Sequence, residues 1–281
     1  MYSRRFDVIV SSLLLLAVLA ACGSLPAGSS SKSAAPNQPA SAAAATNPPV
    51  IAATATTPPV SASAGNGNCT NAYYPVSSGS NWSYSSSGGT LGSYTYTTMV
   101  SAMSNTGFTT SNQSSLGTGG TSDVKWTCKD GKLAAFDAGS NSLTMSTSKM
   151  KVTSTSITAD GYNIPNNFTV GTTWSEKVTI NDTVQSGARS VDSRIESTVD
   201  CSAAGAESVT VPAGTFDAVK VTCTDTVAVS ELMQATAIPA GAPTTVDVTD
   251  WYAKGVGLVK SVRASTAGGT DTTVLTQYKI Q

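Results

Sequence analysis

The chain has 281 residues, of which 16 are basic, 17 acidic and none histidine. A formal net charge of −1 with only 12% charged residues leaves no cluster of Lys and Arg of the kind nucleic-acid binding rests on. The missing histidine excludes Ser-His-Asp and Cys-His catalysis, His-containing zinc sites and imidazole ligation of haem.

Residues 1–21 carry the parts of an export signal in order. Arg4 and Arg5 supply the positive n-region, and Val8 to Ala21 is almost wholly apolar around Leu13-Leu14-Leu15-Leu16. As a helix this run spans about 21 Å, short of the roughly 30 Å hydrocarbon core, so it suits a cleaved signal better than a permanent span. Ser3-Arg4-Arg5-Phe6 lacks the spacer of a twin-arginine signal. Leu19-Ala20-Ala21-Cys22-Gly23 resembles the lipobox of bacterial lipoproteins. That resemblance implies cleavage before Cys22, lipidation of its thiol by diacylglycerol, and a third acyl chain such as palmitate on the new amine. Two or more chains anchor a protein to a membrane where one does not. The expected location is the extracytoplasmic face of the cell membrane or the outer membrane, with Gly23, rather than Asp, favouring the outer one where two membranes exist. Without Arg4, Arg5 and Asp7, 14 basic and 16 acidic residues remain in the mature chain.

Residues 22–67 are Ala, Ser, Pro, Thr and Asn with Lys32 as the one charge, and no apolar period with which to build a core. This stretch is expected to be a disordered tether, about 45 residues long, with a root-mean-square reach of roughly 35–40 Å.

From residue 68 to 281 the pattern is alternating apolar and polar runs broken by Gly, Asn, Asp and Ser. Strands are expected at Ser93–Val100, Lys149–Ile157, Arg194–Cys201, Ala218–Val229 and Val274–Ile280, while Ala235–Ala242, with Pro239 and Gly241, reads as a loop. Helical periodicity is nowhere sustained, so the fold class is all-β and mostly antiparallel. Two Gly-x-x-Trp lead-ins, Gly79 to Trp82 and Gly171 to Trp174, follow Val76 and Val170. Each precedes a further Trp strand, at Trp126 and Trp251, that runs into a glycine. They suggest two similar β-units, 70–165 and 166–281, or the common placing of Trp at strand ends.

Glu207 to Val221 reads as a hairpin, with Val209 and Val211 alternating with polar residues before the turn chemistry of Pro212-Ala213-Gly214. Folding the chain symmetrically about Pro212 sets Cys201 opposite Cys223 on the apolar face. The break at Ala203-Ala204-Gly205 is the place where that register can shift. Of the three pairings open to four cysteines, this favours Cys201–Cys223 and leaves Cys69–Cys128.

The run Val209–Val221, with Trp251-Tyr252-Ala253-Lys254-Gly255-Val256-Gly257-Leu258-Val259-Lys260 and the earlier Tyr74-Pro75-Val76 to Trp82-Ser83-Tyr84, resembles the TapB-like family of exported bacterial β-proteins. The resemblance implies a curved antiparallel sheet, half-barrel or barrel-like, similar in outline to periplasmic lipoprotein carriers. It brings no catalytic residues.

Three functional expectations follow. The first is non-enzymatic binding of a hydrophobic or envelope ligand, with Met99, Met103, Met145 and Met150 lining a cavity or filling an ordinary core. The second is a structural or adhesive surface module that contacts protein or glycan through Tyr73, Tyr74, Tyr84, Tyr94 and Tyr96, unless these form cross-strand pairs. The third, an enzyme, would work through carboxylates, Lys or Tyr; candidates such as Asp123, Asp130 and Glu196 have no partner visible in the sequence. The expectation is therefore no catalytic residue, no cofactor and no metal.

Overall fold

The computed structural model describes residues 69–281 apart from 90–91, 117–119, 136–143, 147–150, 234–235 and 267–268. The expected signal peptide, Cys22 and the tether lie outside the described residues, as does Met150. Among the described residues the chain forms fourteen strands: β1 (Asn81–Gly88), β2 (Tyr94–Met103), β3 (Gly107–Ser114), β4 (Gly120–Lys129), β5 (Lys132–Ala135), β6 (Thr144–Ser146), β7 (Lys151–Gly161), β8 (Thr173–Ser186), β9 (Arg189–Val211), β10 (Gly214–Met233), β11 (Thr236–Pro239), β12 (Thr244–Ala253), β13 (Gly257–Ser265) and β14 (Gly269–Lys279).

They make one antiparallel sheet in the order β5-β4-β3-β2-β1-β14-β13-β12-β10-β9-β8-β7-β6, with β11 paired to β10 beside this path. The sheet curls into a half-barrel, the all-β architecture expected. The stretch 70–165 is split between its two margins, β1–β5 at one and β6–β7 at the other, and 166–281 fills the middle. The segment 235–242 departs from the loop reading. Thr236 to Pro239 returns along Ser230 to Met233 as a short fully exposed strand, with Pro239 at its end, where it interrupts no interior ladder.

Alternation decides which residues build the core. Trp82, Tyr84, Tyr96, Phe108, Trp126, Trp174, Ile195, Tyr252, Leu258 and Leu275 all point inward and are buried. The two Gly-x-x-Trp lead-ins are built alike: Gly79 and Gly171 have φ of 83° and 87°. Each amide donates to a neighbouring strand, Gly79 to Val100 O at 3.0 Å and Gly171 to Ala203 O at 2.8 Å. Val100 N and Ala203 N donate back to Ser80 O and Thr172 O, both at 2.9 Å. The positive φ requires glycine, and the reciprocal bonds deliver each indole to the interior.

One end of the half-barrel is closed by the segment that precedes β1. Cys69 is disulfide-bonded to Cys128 of β4. Asn71 Nδ2 donates to Gly131 O and to Pro165 O, both at 2.8 Å, and so ties the β4–β5 turn to the loop after β7. Tyr74 lies among Trp82, Phe108 and Trp126, with ring centroids 5.4, 5.9 and 5.5 Å away. The margins themselves meet where Leu133 and Ile164 exchange backbone hydrogen bonds of 2.9 and 3.1 Å. Asn163 strengthens this closure: its Oδ1 accepts from Ala135 N at 2.6 Å and its Nδ2 donates to Glu176 Oε2 at 2.6 Å. A sheet left with open margins presents unpaired backbone groups; here a plug and two asparagines satisfy them at one end.

Candidate functional site

The long hairpin β9–β10 shapes the outer surface. Its turn pairs Val211 with Gly214, and unbroken register from there would set Cys201 against Thr224. Ala204 is instead an extra residue, so that Gly205 faces Lys220 while Ala203 faces Val221. The bulge moves Cys201 opposite Cys223, and the two are disulfide-bonded with a Cα–Cα distance of 4.1 Å. It also bends the hairpin, as bulges do. Beyond the bend the buried side chains switch faces: Val209, Val211, Phe216 and Ala218 are buried, whereas Thr210, Thr215 and Asp217 are exposed. The tip thus folds back over the outer face of β13 and β14, where Ala213 N donates to Leu275 O at 3.1 Å and Phe216 meets Tyr278 edge-on at 5.9 Å. Trp251, on the outer face of β12, is covered by this tip. Its indole N–H donates to Glu207, and the ammonium groups of Lys260 and Lys220 lie 4.8 and 5.8 Å from its ring.

Next to the bend a wide-open groove of about 700 Å³ crosses β8, β9, β10 and β12 on the outer face. Its floor is two cross-strand rows. One runs Thr173, Ser202, Thr222, Thr249, and the other Ser175, Asp200, Thr224, Asp247. Thr224 Oγ1 donates to Asp247 Oδ1 at 3.2 Å. Asp200 and Asp247 are the only ionisable side chains among the groove residues, and both are exposed.

The interior is polar in places as well. Asp250, fully buried, accepts from Ser261 Oγ at 2.7 Å and from Tyr252 OH at 3.0 Å. Ser86 Oγ donates to Asp271 at 3.1 Å. Burial pushes the phenols of Tyr74 and Tyr84 well above the ordinary tyrosine range. On β8, Asp182 faces Ser154 of β7 and Ser193 of β9 in one buried row. Neither its carboxylate oxygens nor the Ser193 hydroxyl makes a hydrogen bond of normal geometry. Burial raises the Asp182 carboxyl above its ordinary range, an effect the nearby Ser154 hydroxyl opposes.

The sequence candidates are scattered. Asp123 is exposed on β4 and accepts from Ser111, Asp130 occupies the β4–β5 turn with φ of 53°, and Glu196 is exposed on β9. The tyrosines proposed as a contact surface are a correction. Tyr74, Tyr84, Tyr94 and Tyr96 are buried, with Tyr84 stacked on Tyr96 at 4.9 Å across β1 and β2. Only Tyr73 is partly exposed, and it packs edge-on against Phe168. Met99 lines no interior either, being 43% exposed, while Met103 packs against the core. Of Met145 only its strand position is described. No group of three or more His, Cys, Asp or Glu among the described residues is placed to hold a metal. Sequence reading missed the groove because its residues come from four strands; the Ala203-Ala204-Gly205 break was the one local signal of it.

A family model described as DUF3108-like matches residues 96–267, well over half the chain. The chain belongs to the DUF3108-like family. The bent hairpin, Trp251 and the groove all fall inside this DUF3108-like region, whereas the Cys69–Ser80 plug precedes it. The family shown is DUF3108-like, and this match does not carry the TapB-like name expected from the motifs. Two solved structures are similar in fold. A candidate lipoprotein from Parabacteroides distasonis ATCC 8503 has 18% identity and a TM-score of 0.48, over 74% of this chain and 99% of its own. A candidate exported protein with a YmcC-like fold from Bacteroides fragilis NCTC 9343 has 14% identity and a TM-score of 0.45, over 73% and 98%. No match to a curated protein emerges.

Proposed function

We propose that this DUF3108-like protein is a lipid-anchored, extracytoplasmic binding domain that contacts a component of the cell envelope through its outer surface, without catalysis. The observation that carries this reading is the filled, plugged interior at the closed end, where Tyr74 sits among three other aromatic rings. An interior packed in this way supports surface recognition over storage of a hydrophobic ligand. A surface for such contact among the described residues is the groove on the outer face. Two disulfides, Cys69–Cys128 and Cys201–Cys223, support an oxidising compartment, and Cys22 in its lipobox supports the anchor.

A glycosidase reading of Asp200 and Asp247 is the competing one, because both carboxylates face one groove. They are separated by one intervening strand, so their backbones are roughly 10 Å apart. Both are exposed, whereas a catalytic acid is kept protonated by apolar burial. The pair therefore suits hydrogen bonding to a ligand.

The test combines localisation and capture. Cells expressing the native chain and Cys22→Ala are fractionated after labelling with palmitate, and the purified full chain is mixed with washed envelope fractions. Labelled, membrane-bound native protein, unlabelled and released variant, and retention of envelope material support the proposal. Native mass spectrometry that finds a stoichiometric lipid inside the domain, or envelope fractions that retain none of the protein, would refute it.

A further inference from the structure

We infer that the outer-face groove is a glycan-binding site for uncharged or amino-substituted sugars, and that it rejects polyanions. This rests on the surface-binding reading above and names its ligand class.

Three features of the groove lead there. First, its polar groups are hydroxyls and carboxylates presented in register. Ser175, Asp200, Thr224 and Asp247 stand on adjacent strands about 4.8 Å apart, with the hydroxyl row of Thr173, Ser202, Thr222 and Thr249 beside them. Carboxylates accept from two neighbouring hydroxyls of a sugar ring, and threonine hydroxyls both donate and accept. A ladder of such groups matches a ligand that repeats hydroxyls along its length, and the separation of Asp200 from Asp247 is on the scale of a disaccharide.

Second, the charged side chains lining the groove are both acidic. No Lys or Arg lines the groove, so a phosphate, sulfate or uronate chain laid along its floor meets two carboxylates, with Lys177 in the flanking row offsetting one of them. An ammonium on an amino sugar meets the opposite. Of the cations in the flanking rows, Lys220 and Lys260 are turned onto the Trp251 ring, whereas Lys177 is exposed on β8 two residues from Ser175, one positive charge against the two carboxylates.

Third, the groove is built into the fold. The Ala204 bulge that bends β9 and β10 sets the folded-back tip beside the two rows, while the buried Cys201–Cys223 disulfide holds the strands beneath them. At about 700 Å³ the groove is within the usual range of ligand sites and has room for a short oligosaccharide.

The experiment is calorimetric titration of the full chain in detergent with three probes of equal length: a glucosamine oligosaccharide, its N-acetylated form and a sulfated form. The first two are expected to bind and the sulfated one to fail. Asp200→Asn with Asp247→Asn should weaken the glucosamine probe at least tenfold and the N-acetylated probe less. Deletion of Ala204, which straightens the hairpin while leaving Cys201 opposite Cys223, should abolish binding of both. Equal binding of the sulfated probe, an unchanged double variant, or no binding of any probe would overturn the inference. Envelope capture by the native chain that the double variant retains in full would refute this site and leave the broader function standing. Loss of envelope capture by the native chain itself would remove both.

Discussion

Removing the two disulfides separately should have unequal consequences, because they close loops of different length and hold different parts of the fold. Cys69–Cys128 spans 59 residues and Cys201–Cys223 spans 22. On a chain-entropy account these separations correspond to ~4.2 and ~3.4 kcal/mol at 25 °C. The structure widens the gap. Cys201 and Cys223 lie within a hairpin whose register runs from Ser193–Glu231 to Val211–Gly214, so the ladder keeps them close without the bond. Cys69 heads a plug that forms no strand and is held at its start by the disulfide, Asn71, the Tyr74 rings and the Gly255 N–H to Ala72 O bond, joining β2 only at Gly79 and Ser80. Urea unfolding of Cys69→Ala/Cys128→Ala and Cys201→Ala/Cys223→Ala, followed by circular dichroism, reads the two losses. Hydrogen exchange across residues 69–80 shows whether the plug opens before the sheet melts. The first variant should lose about 4 kcal/mol with early exchange in the plug, and the second about 2–3 kcal/mol with the plug still protected. Equal losses, or a plug as protected in the first variant as in the native protein, would refute the assignment of that segment's stability to Cys69.

Asp182→Asn should stabilise the protein at neutral pH. Burial raises the folded-state pKa above the unfolded value, so the ionised group costs stability above that range, and the cost disappears as pH falls to the unfolded pKa. Thermal melts should show a gain of about 1–3 kcal/mol at pH 8 that shrinks towards pH 4, and a gain that grows with acid would contradict the sign. Phe216→Ala should cost about 3 kcal/mol by unpacking the hairpin tip from Tyr278, measured by urea unfolding. Deletion of Ala204 should keep the Cys201–Cys223 bond, seen by mapping unreduced peptides, yet increase quenching of Trp251 by acrylamide as the tip lifts away. Gly161→Ala should lower the melting temperature, since φ is 89° there and an added Cβ would stand 2.3 Å from Ser175 O.

Much of the β-architecture was legible because alternation is a local property. The pattern placed strands near β2, β7, β9, β10 and β14, and symmetry about Pro212 paired Cys201 with Cys223. That pairing emerges from two offsets that cancel, the turn centred between Pro212 and Ala213 and the extra residue at Ala204. Which face was interior was harder to read. In β1 and β2 the tyrosines alternate with Ser and Thr, and the tyrosines resembled a contact surface as readily as a core until closure of the sheet fixed their side. The groove and the margin closure were out of reach for another reason. Asn71 meets Gly131 and Pro165 across 60 and 94 residues, and no local pattern encodes contacts of that range.

The plug also sets where mechanical load goes. Any chain that pulls on Cys69 pulls through the disulfide onto Cys128, one residue before the end of β4, before it reaches Asn71 or Tyr74. The covalent bond is a shunt around the softest part of the domain. Tension is handed directly to a strand hydrogen-bonded on both sides, to β3 and to β5, so the closed end is spared from being peeled open. A domain fastened in this way passes load from β4 to β5 and, through Asn163, to Glu176 and Trp174 of β8, so the attachment point and the β8 side of the surface groove share one chain of contacts.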